Sequence, residues 1–362
     1  MVLFFTLTSC FNNDLYTKAT SRLSDLDYTV SISPGTITGT AIDLPPARYD
    51  TEAYAYTLTI RNPNSEGFTV EHIYFADGGG VFGIEDDVDG IFLEGKSDLT
   101  VNILFGPRST GKISETLVID TNWSPQRRYT VTGRGVEPGL YVTTDGSDTE
   151  GDGSPTRPFY SLNRAMDMVD NGMTVHVARG TYTYDEIQSI TGQNVRIYGS
   201  YSDDGLWTRD EDSHSSVIHS TVDDDTGATI EFTGYDLSTE TEFSGFTVYG
   251  TSKDVTSWAV IRISDGSPAV YNNSIHGSST ATRSVGVNIS GGSNAVVLIN
   301  DINATPVDET VSESYAVLVD QYSGFPLIIL NTIFGGNAST ESAGISLLLG
   351  EMAGADIYGN SV

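Results

Sequence analysis

Apolar and polar residues alternate in short bursts along the last third of the chain, and the bursts return at a near-constant interval. Ala259, Ile261 and Ile263 hold the first, third and fifth places of one burst. Val285, Val287 and Ile289, then Tyr315, Val317 and Val319, then Ala343, Ile345 and Leu347 hold the same places in the next three. A period of two sets all three on one face of a strand. A second pattern keeps step: Gly245-Phe246-Thr247-Val248, Asn272-Asn273-Ser274-Ile275, Ile299-Asn300-Asp301-Ile302, Leu330-Asn331-Thr332-Ile333 and Gly359-Asn360-Ser361-Val362. Its second residue falls at 246, 273, 300, 331 and 360, giving intervals of 27, 27, 31 and 29 residues. Repeats of this length cannot bury a core alone, so they stack. Gly, Ser, Thr, Asp and Asn separate the strands where a leucine-rich horseshoe would need a helical or Leu-rich half. The pattern therefore predicts a parallel β-helix. Val270, Val297, Ile328 and Ile357 should form one inward column, strand by strand about 4.8 Å apart. Asn273, Asn300, Asn331 and Asn360 should meet at one corner as an amide ladder that satisfies turn backbone. The outward places are then Val260, Arg262, Gly286, Asn288, Ala316, Leu318, Gly344 and Ser346.

Upstream the alternation is longer. Tyr56–Ile60, Leu99–Ile103, Glu115–Ile119 and Tyr129–Gly135 read as strands separated by turns such as Asn62-Pro63-Asn64. About seven strands in some 110 residues predict an immunoglobulin-like sandwich over 28–137. Gly106-Pro107-Arg108-Ser109-Thr110-Gly111-Lys112 imitates a phosphate loop, but Ile113 stands where a metal-holding hydroxyl must be and a strand follows in place of a helix, so we read a hairpin turn. Pro138-Gly139 opens the second domain, 138–362. Within it Leu162, Ala165, Met166 and Val169 are spaced for an amphipathic helix that ends at Asn171-Gly172 and covers the first edge of the solenoid.

Three resemblances add to this reading. Leu7-Thr8-Ser9-Cys10, after the apolar run Val2-Leu3-Phe4-Phe5, resembles the lipobox of bacterial lipoproteins. That resemblance implies a signal region over 1–10, a lipid on Cys10 and a place on the bacterial cell surface or outer membrane, the alternative being a secreted protein; the mostly polar residues 11–27 read as a tether. No Lys or Arg precedes the run, which points to a start further upstream. Thr100–Pro107 with Gly111, then Leu117–Asn122, then Val131–Gly135 resemble choice-of-anchor and ASH-type (hydin-like) modules, which implies a spacer without catalysis. Tyr141–Asp148, Gly151–Pro158, Val175–Tyr182 and Ile197–Tyr201 with Trp207, Arg209 and Asp210 resemble the entry to pectin-lyase-like right-handed β-helix proteins. The fold expected is thus all-β: an Ig-like β-sandwich followed by a right-handed parallel β-helix with a short N-terminal capping helix. The text stops in mid-pattern at Val362, so we expect a shortened or unusually ended chain.

Charge narrows the partners. The 362 residues carry 48 acidic against 18 basic side chains, a formal net charge of -30. Phosphate binding needs a basic footprint, so nucleic acid is excluded as a partner. With one cysteine there is no intrachain disulfide. Asp148-Thr149-Glu150-Gly151-Asp152-Gly153 copies the first half of a calcium loop, with acidic oxygens at alternate places, but its twelfth position is Phe159 where a bidentate Glu should close it. Asp148, Glu150 and Asp152 are the metal candidates, and calcium is the one cofactor implied; otherwise they are a solvated loop. Arg262 is the one base on the legible outer face; it is a candidate for removing a sugar proton in a lyase, or else a surface ion pair with Asp265. No carboxylate accompanies it there. His72, His176, His214, His219 and His276 are scattered, and no nucleophile elbow appears. Trp207, Tyr249, Trp258 and Tyr322 are candidates for glycan stacking, against the alternative of ordinary packing. The leading expectation is a non-catalytic surface lipoprotein that binds polysaccharide or a surface protein. The alternatives are a lyase or glycosidase acting on acidic polysaccharide, and a structural spacer.

Overall fold

In the computed structural model, residues 27–49, 52–78, 80–305 and 311–362 are described, the side chains of 321–323 and 351–352 excepted. Cys10 and the tether lie outside the described residues, and so does the side chain of Tyr322. The chain divides into two compact units, Met1–Glu137 and Pro138–Val362. It is an all-β protein with one short helix among the described residues.

The first unit packs two sheets face to face. One runs in the order Thr29–Ser33, Tyr54–Arg61, Asp98–Phe105, Phe82–Ile84, all antiparallel. The other is built on Arg127–Val136, Gly111–Thr121 and Phe68–Phe75, with Ile91–Leu93 at one edge and three short strands before residue 49 at the other. The four strands legible in the sequence lie inside Tyr54–Arg61, Asp98–Phe105, Gly111–Thr121 and Arg127–Val136. The short edge pieces carry too few alternating residues to be read, which is why eleven strands form among the described residues where about seven were expected. Leu58, Ile60, Val70, Phe105, Leu117, Ile119 and Val131 fill the space between the sheets. Gly133 has to be glycine, because a Cβ there would stand 2.6 Å from the Phe105 ring. Gly111 and Lys112, the last two residues of the phosphate-loop imitation, start a strand.

The second unit is a coil of three parallel sheets. The first sheet takes, in order, Leu140–Val142, Thr174–Ala178, Arg196–Tyr201, Glu242–Ser244, Ala269–Tyr271, Val296–Leu298, Leu327–Ile329 and Asp356–Tyr358. The second takes Gly180–Tyr184, Ser216–Ser220, Phe246–Thr251, Ser274–His276, Asp301–Asn303 and Thr332–Phe334. The third takes Gln188–Thr191, Thr226–Thr233, Ser257–Ser264, Arg283–Gly291, Val311–Gly324 and Ala338–Ala353. Six successive turns thus give one strand to each sheet, and Leu140–Val142 and Asp356–Tyr358 extend the first sheet at its two ends. Val270, Val297, Ile328 and Ile357 pair in exact succession; the first three are fully buried, and Ile357 is 38% exposed. The helix α1 (Leu162–Met166) is shorter than its pattern, which extended to 170. Ser161 caps it by accepting from the Arg164 amide, and Leu162, Ala165 and, beyond its end, Val169 enter the common core.

The amide ladder forms as expected. Asn273 Oδ1 accepts from the Phe246 amide, Asn300 Oδ1 from Asn273, Asn331 Oδ1 from Asn300, and Asn360 Oδ1 from Asn331, at 2.8–3.1 Å. Each Nδ2 also donates to a backbone carbonyl of the neighbouring turn: Asn273 to Phe243, Asn300 to Val270, Asn331 to Val297.

One expectation fails on the third sheet. Val260 and Ala316, read as outward, lie in the main core beside Ile261 and Val317, while Ala259, Val285 and Tyr315 join Leu318 in a separate outer cluster. Strand pairing is interrupted at 260, 286 and 316, so two consecutive residues turn inward where the strand bends round a corner. Gly286 fits that bend because a Cβ would come within 2.6 Å of both the Ala316 carbonyl and Ile302.

Candidate functional site

The outer face of the second sheet carries two rows set by strand register. One row is Thr181, Val217, Thr247, Ser274, Asp301 and Thr332; the other is Thr183, His219, Tyr249, His276, Asn303 and Phe334. Strands stacked about 4.8 Å apart bring flat side chains of one row into contact. Accordingly His219 stacks on Tyr249 at 4.5 Å and 8°, and Tyr249 on His276 at 4.7 Å and 15°. Burial holds both imidazoles below their ordinary pKa, and for His276 the Asp301 carboxylate opposes it. Because each ring covers its neighbour's face, the ladder shows solvent its edges and polar atoms more than a stacking platform.

Beside the ladder opens a groove of about 300 Å³. Its floor is the corner where the amide ladder runs, including Gly245, Asn272 and Asn273; one wall is Thr247, Ser274 and Asp301. The other wall is Glu211, His214 and Ser215, from the long excursion 202–215 between the first and second sheets. Ser274 Oγ lies 2.9 Å from His276 Nε2, so groove and ladder are continuous.

The excursion is held at several points. Trp207 is buried, donates from its indole to the Pro155 carbonyl at 3.2 Å and meets Tyr141 edge-on at 4.4 Å. Arg209 donates to the carbonyl of Gly199 and to Ser244, lies over Tyr198, and pairs with Glu211 at 2.5 Å. Asp210 closes the turn before the groove by accepting from the amides of Asp212 and Ser213, and the Ser213 hydroxyl above all lowers its pKa. Asn272 Nδ2 donates to the other Glu211 oxygen, fastening the excursion to the coil. His214 donates its amide to Asp210, and its Nδ1, closed off from solvent, has no hydrogen-bond partner.

Next to this, on the first sheet, Tyr198 and Tyr271 both donate to Glu242 Oε2 at 2.6 Å. Burial first, and then the Glu242 carboxylate, raises both phenols above their ordinary value, Tyr198 by a wide margin. These tyrosines are hydrogen-bond donors and not bases at neutral pH.

The residues singled out from the sequence take other places. Trp258 is fully buried among Val222, Val255 and Ala281, with its indole on Thr229 Oγ1, so it packs the coil and offers no stacking surface. Trp207 is likewise an anchor. Tyr249 is half-buried, and its two faces are covered by histidines. Arg262 pairs with Glu231 at 3.3 Å and donates to the Gly227 carbonyl at 2.7 Å, so its partner is Glu231 where Asp265 was expected. That carboxylate was missed because its strand precedes the legible repeats. Asp148 accepts from the amides of Tyr160 and Ser161, and Asp152 from that of Ser154 while pairing with Arg157. With Asp148 and Asp152 committed to closing their own loop and Glu150 supplying a backbone carbonyl to Arg157, the three do not converge. Among the described residues no group of three or more His, Cys, Asp or Glu could hold a metal ion.

What the sequence reading missed is the groove. Glu211 and His214 belong to an excursion outside the repeat, so no periodic signal marks them. The ladder did have a signal: Tyr249, His276, Asn303 and Phe334 each stand three residues after the markers 246, 273, 300 and 331.

Among solved structures, the ASH/PapD-like domain of human CEP192 matches 30% of this chain and 86% of its own length, at 17% identity and a TM-score of 0.22. A rhamnogalacturonan lyase matches 60% of this chain at 13% identity and a TM-score of 0.26, the match spanning 62% of the lyase. The catalytic domain of a GH87 alpha-1,3-glucanase in complex with tetrasaccharides matches 91% of this chain and 75% of its own length, at 12% identity and 0.27. Scores this low carry no argument about activity. No curated protein matches. Residues 144–346, more than half of the chain, match the model described as "Protein of unknown function (DUF1565)", and the chain belongs to that family.

Proposed function

We propose that this chain is a glycan-binding surface protein, held to a bacterial membrane by a lipid on Cys10, whose second unit is a right-handed parallel β-helix. Right-handedness rests on the strong preference of parallel crossovers for that hand. The observation that carries the function is the groove itself. It lines one channel with hydroxyl, amide, carboxylate and imidazole groups and is continuous with the ring ladder, so several sugar hydroxyls could find donors and acceptors in one row. Exposed, fixed polar groups suit a solvated ligand better than an apolar one. Glu211 is engaged by Arg209 and Asn272, which fits a positioning role better than proton transfer.

The test is a glycan screen of the protein, with and without calcium, recording retention and the release of new reducing or unsaturated ends. Retention without release is expected, weakened about tenfold or more by His214→Ala. The second reading, a glycosidase, rests on Glu211 and Asp301 facing one groove. Release of reducing ends, lost on Glu211→Gln, would establish it and overturn the binding reading. Silence in both channels would leave the spacer role.

A further inference from the structure

The groove's charges are of one sign. Its ionisable lining is Glu211, Asp301 and His214, with no Lys or Arg in the wall. The nearest guanidinium, Arg209, is turned to the Glu211 carboxylate, the Gly199 carbonyl and Ser244, and its side chain is only 28% exposed. That pair neutralises Glu211 and leaves Asp301, exposed on the opposite wall, without an ion-pair partner among the described residues. No Lys or Arg occurs after Arg283, so the turns that would continue the groove add no positive charge. A uronate chain would bring carboxylates into this field with nothing to pair them, and like charges cost affinity.

Resting on the glycan-binding reading, we infer that the groove selects amine-bearing oligosaccharides over acidic ones, with the sugar ammonium set against Asp301 and its hydroxyls against Ser274 and Thr247. An ammonium beside an exposed carboxylate gives a modest, salt-sensitive preference.

The experiment compares three soluble tetramers on the full chain by calorimetry at low and high salt, at a pH where the amine is protonated: glucosamine, its N-acetylated form and galacturonate. The amine tetramer should bind about fivefold tighter than the N-acetyl form at low salt. Tetragalacturonate should show no binding. In Asp301→Asn the ratio of amine to N-acetyl affinity should fall to near one, and in Asp224→Asn, an exposed acid away from the groove, it should stay. Equal affinity for the amine and N-acetyl tetramers overturns the charge selection and leaves glycan binding standing. A preference unchanged by Asp301→Asn is bulk attraction to an acidic surface and also overturns it, as does binding of the galacturonate. Failure of all three tetramers counts against the glycan reading itself.

Discussion

Asn300 shows how one side chain holds a corner. It is 2% exposed; its Oδ1 accepts from the Asn273 amide and from Asn273 Nδ2, and its own Nδ2 donates to the Val270 carbonyl and to Asn331 Oδ1. Truncation leaves buried donors and acceptors on three turns without partners, and each such group costs about 1–3 kcal/mol. Asn300→Ala should therefore destabilise the second unit by roughly 3 kcal/mol or more, read as a fall in the urea midpoint. At Asn360, half-buried at the last turn, the same change should cost about a third of that. The residue ahead of each ladder asparagine turns through the left-handed region: Asn272 at φ 54°, Ile299 and Leu330 at 52°, Gly359 at 64°. Asn and Gly tolerate this, whereas a β-branched Ile does not. Ile299 is 54% exposed and so buries little in return. Ile299→Asn should raise the midpoint by up to about 1 kcal/mol of stability. An unchanged or lower midpoint would mean that the Ile299 side chain contributes more by packing than its backbone costs.

The ring ladder depends on how the second sheet's strands stack: Tyr249 pairs with His276 in register, and His219 meets Tyr249 where the register shifts between Ile218 and Ser220. Its pH dependence has a definite sign. Both imidazoles titrate below 6.5 in the fold, chiefly through burial, so the folded state disfavours their protonation. That contribution is fully present above the unfolded value of 6.5 and is lost as pH falls through it towards the folded values. The difference in urea midpoint between the protein and a His219→Gln/His276→Gln variant should shift in the variant's favour from about pH 7.5 to about pH 5. A constant difference would remove the ladder from the list of pH-sensitive groups. Elements differ in how far the sequence disclosed them. The Asn row and the Val270–Val297–Ile328 column were legible because each repeats at the coil's own interval. The third sheet misled because a bend at Val260 breaks the period of two while leaving the composition unchanged. The excursion 202–215 was legible only as a resemblance at Trp207, Arg209 and Asp210, and its role was not, because it obeys no period: Trp207, an anchor, looks in sequence like any exposed aromatic, and Glu211 becomes part of a wall only through Arg209 and Asn272.

At the scale of the molecule the dominant quantity is charge. Arginines form ion pairs in both units, yet the sequence has 48 acidic side chains for 18 basic ones, so 48 − 18 = 30 carboxylates lack a Lys or Arg of their own. In the coil Glu313 stands one strand from Glu341, well within the roughly 10 Å screening length at 0.1 M salt, and the excess of acids elsewhere adds repulsion of longer range. Unfolding relieves that repulsion, so it lowers stability. Raising sodium chloride from about 20 mM to about 0.5 M should lift Tm by several degrees, gradually and equally for sodium and potassium. A rise complete at micromolar to millimolar calcium, and absent with sodium, would instead mark a bound ion, contrary to the way Asp148 and Asp152 are committed to their own loop. Acid acts on the same repulsion in the opposite direction from its effect on the ladder, since protonating carboxylates relieves repulsion while protonating His219 and His276 strains the stack. The salt series therefore belongs at neutral pH, where His219 and His276 are uncharged and the ladder does not oppose the carboxylate response.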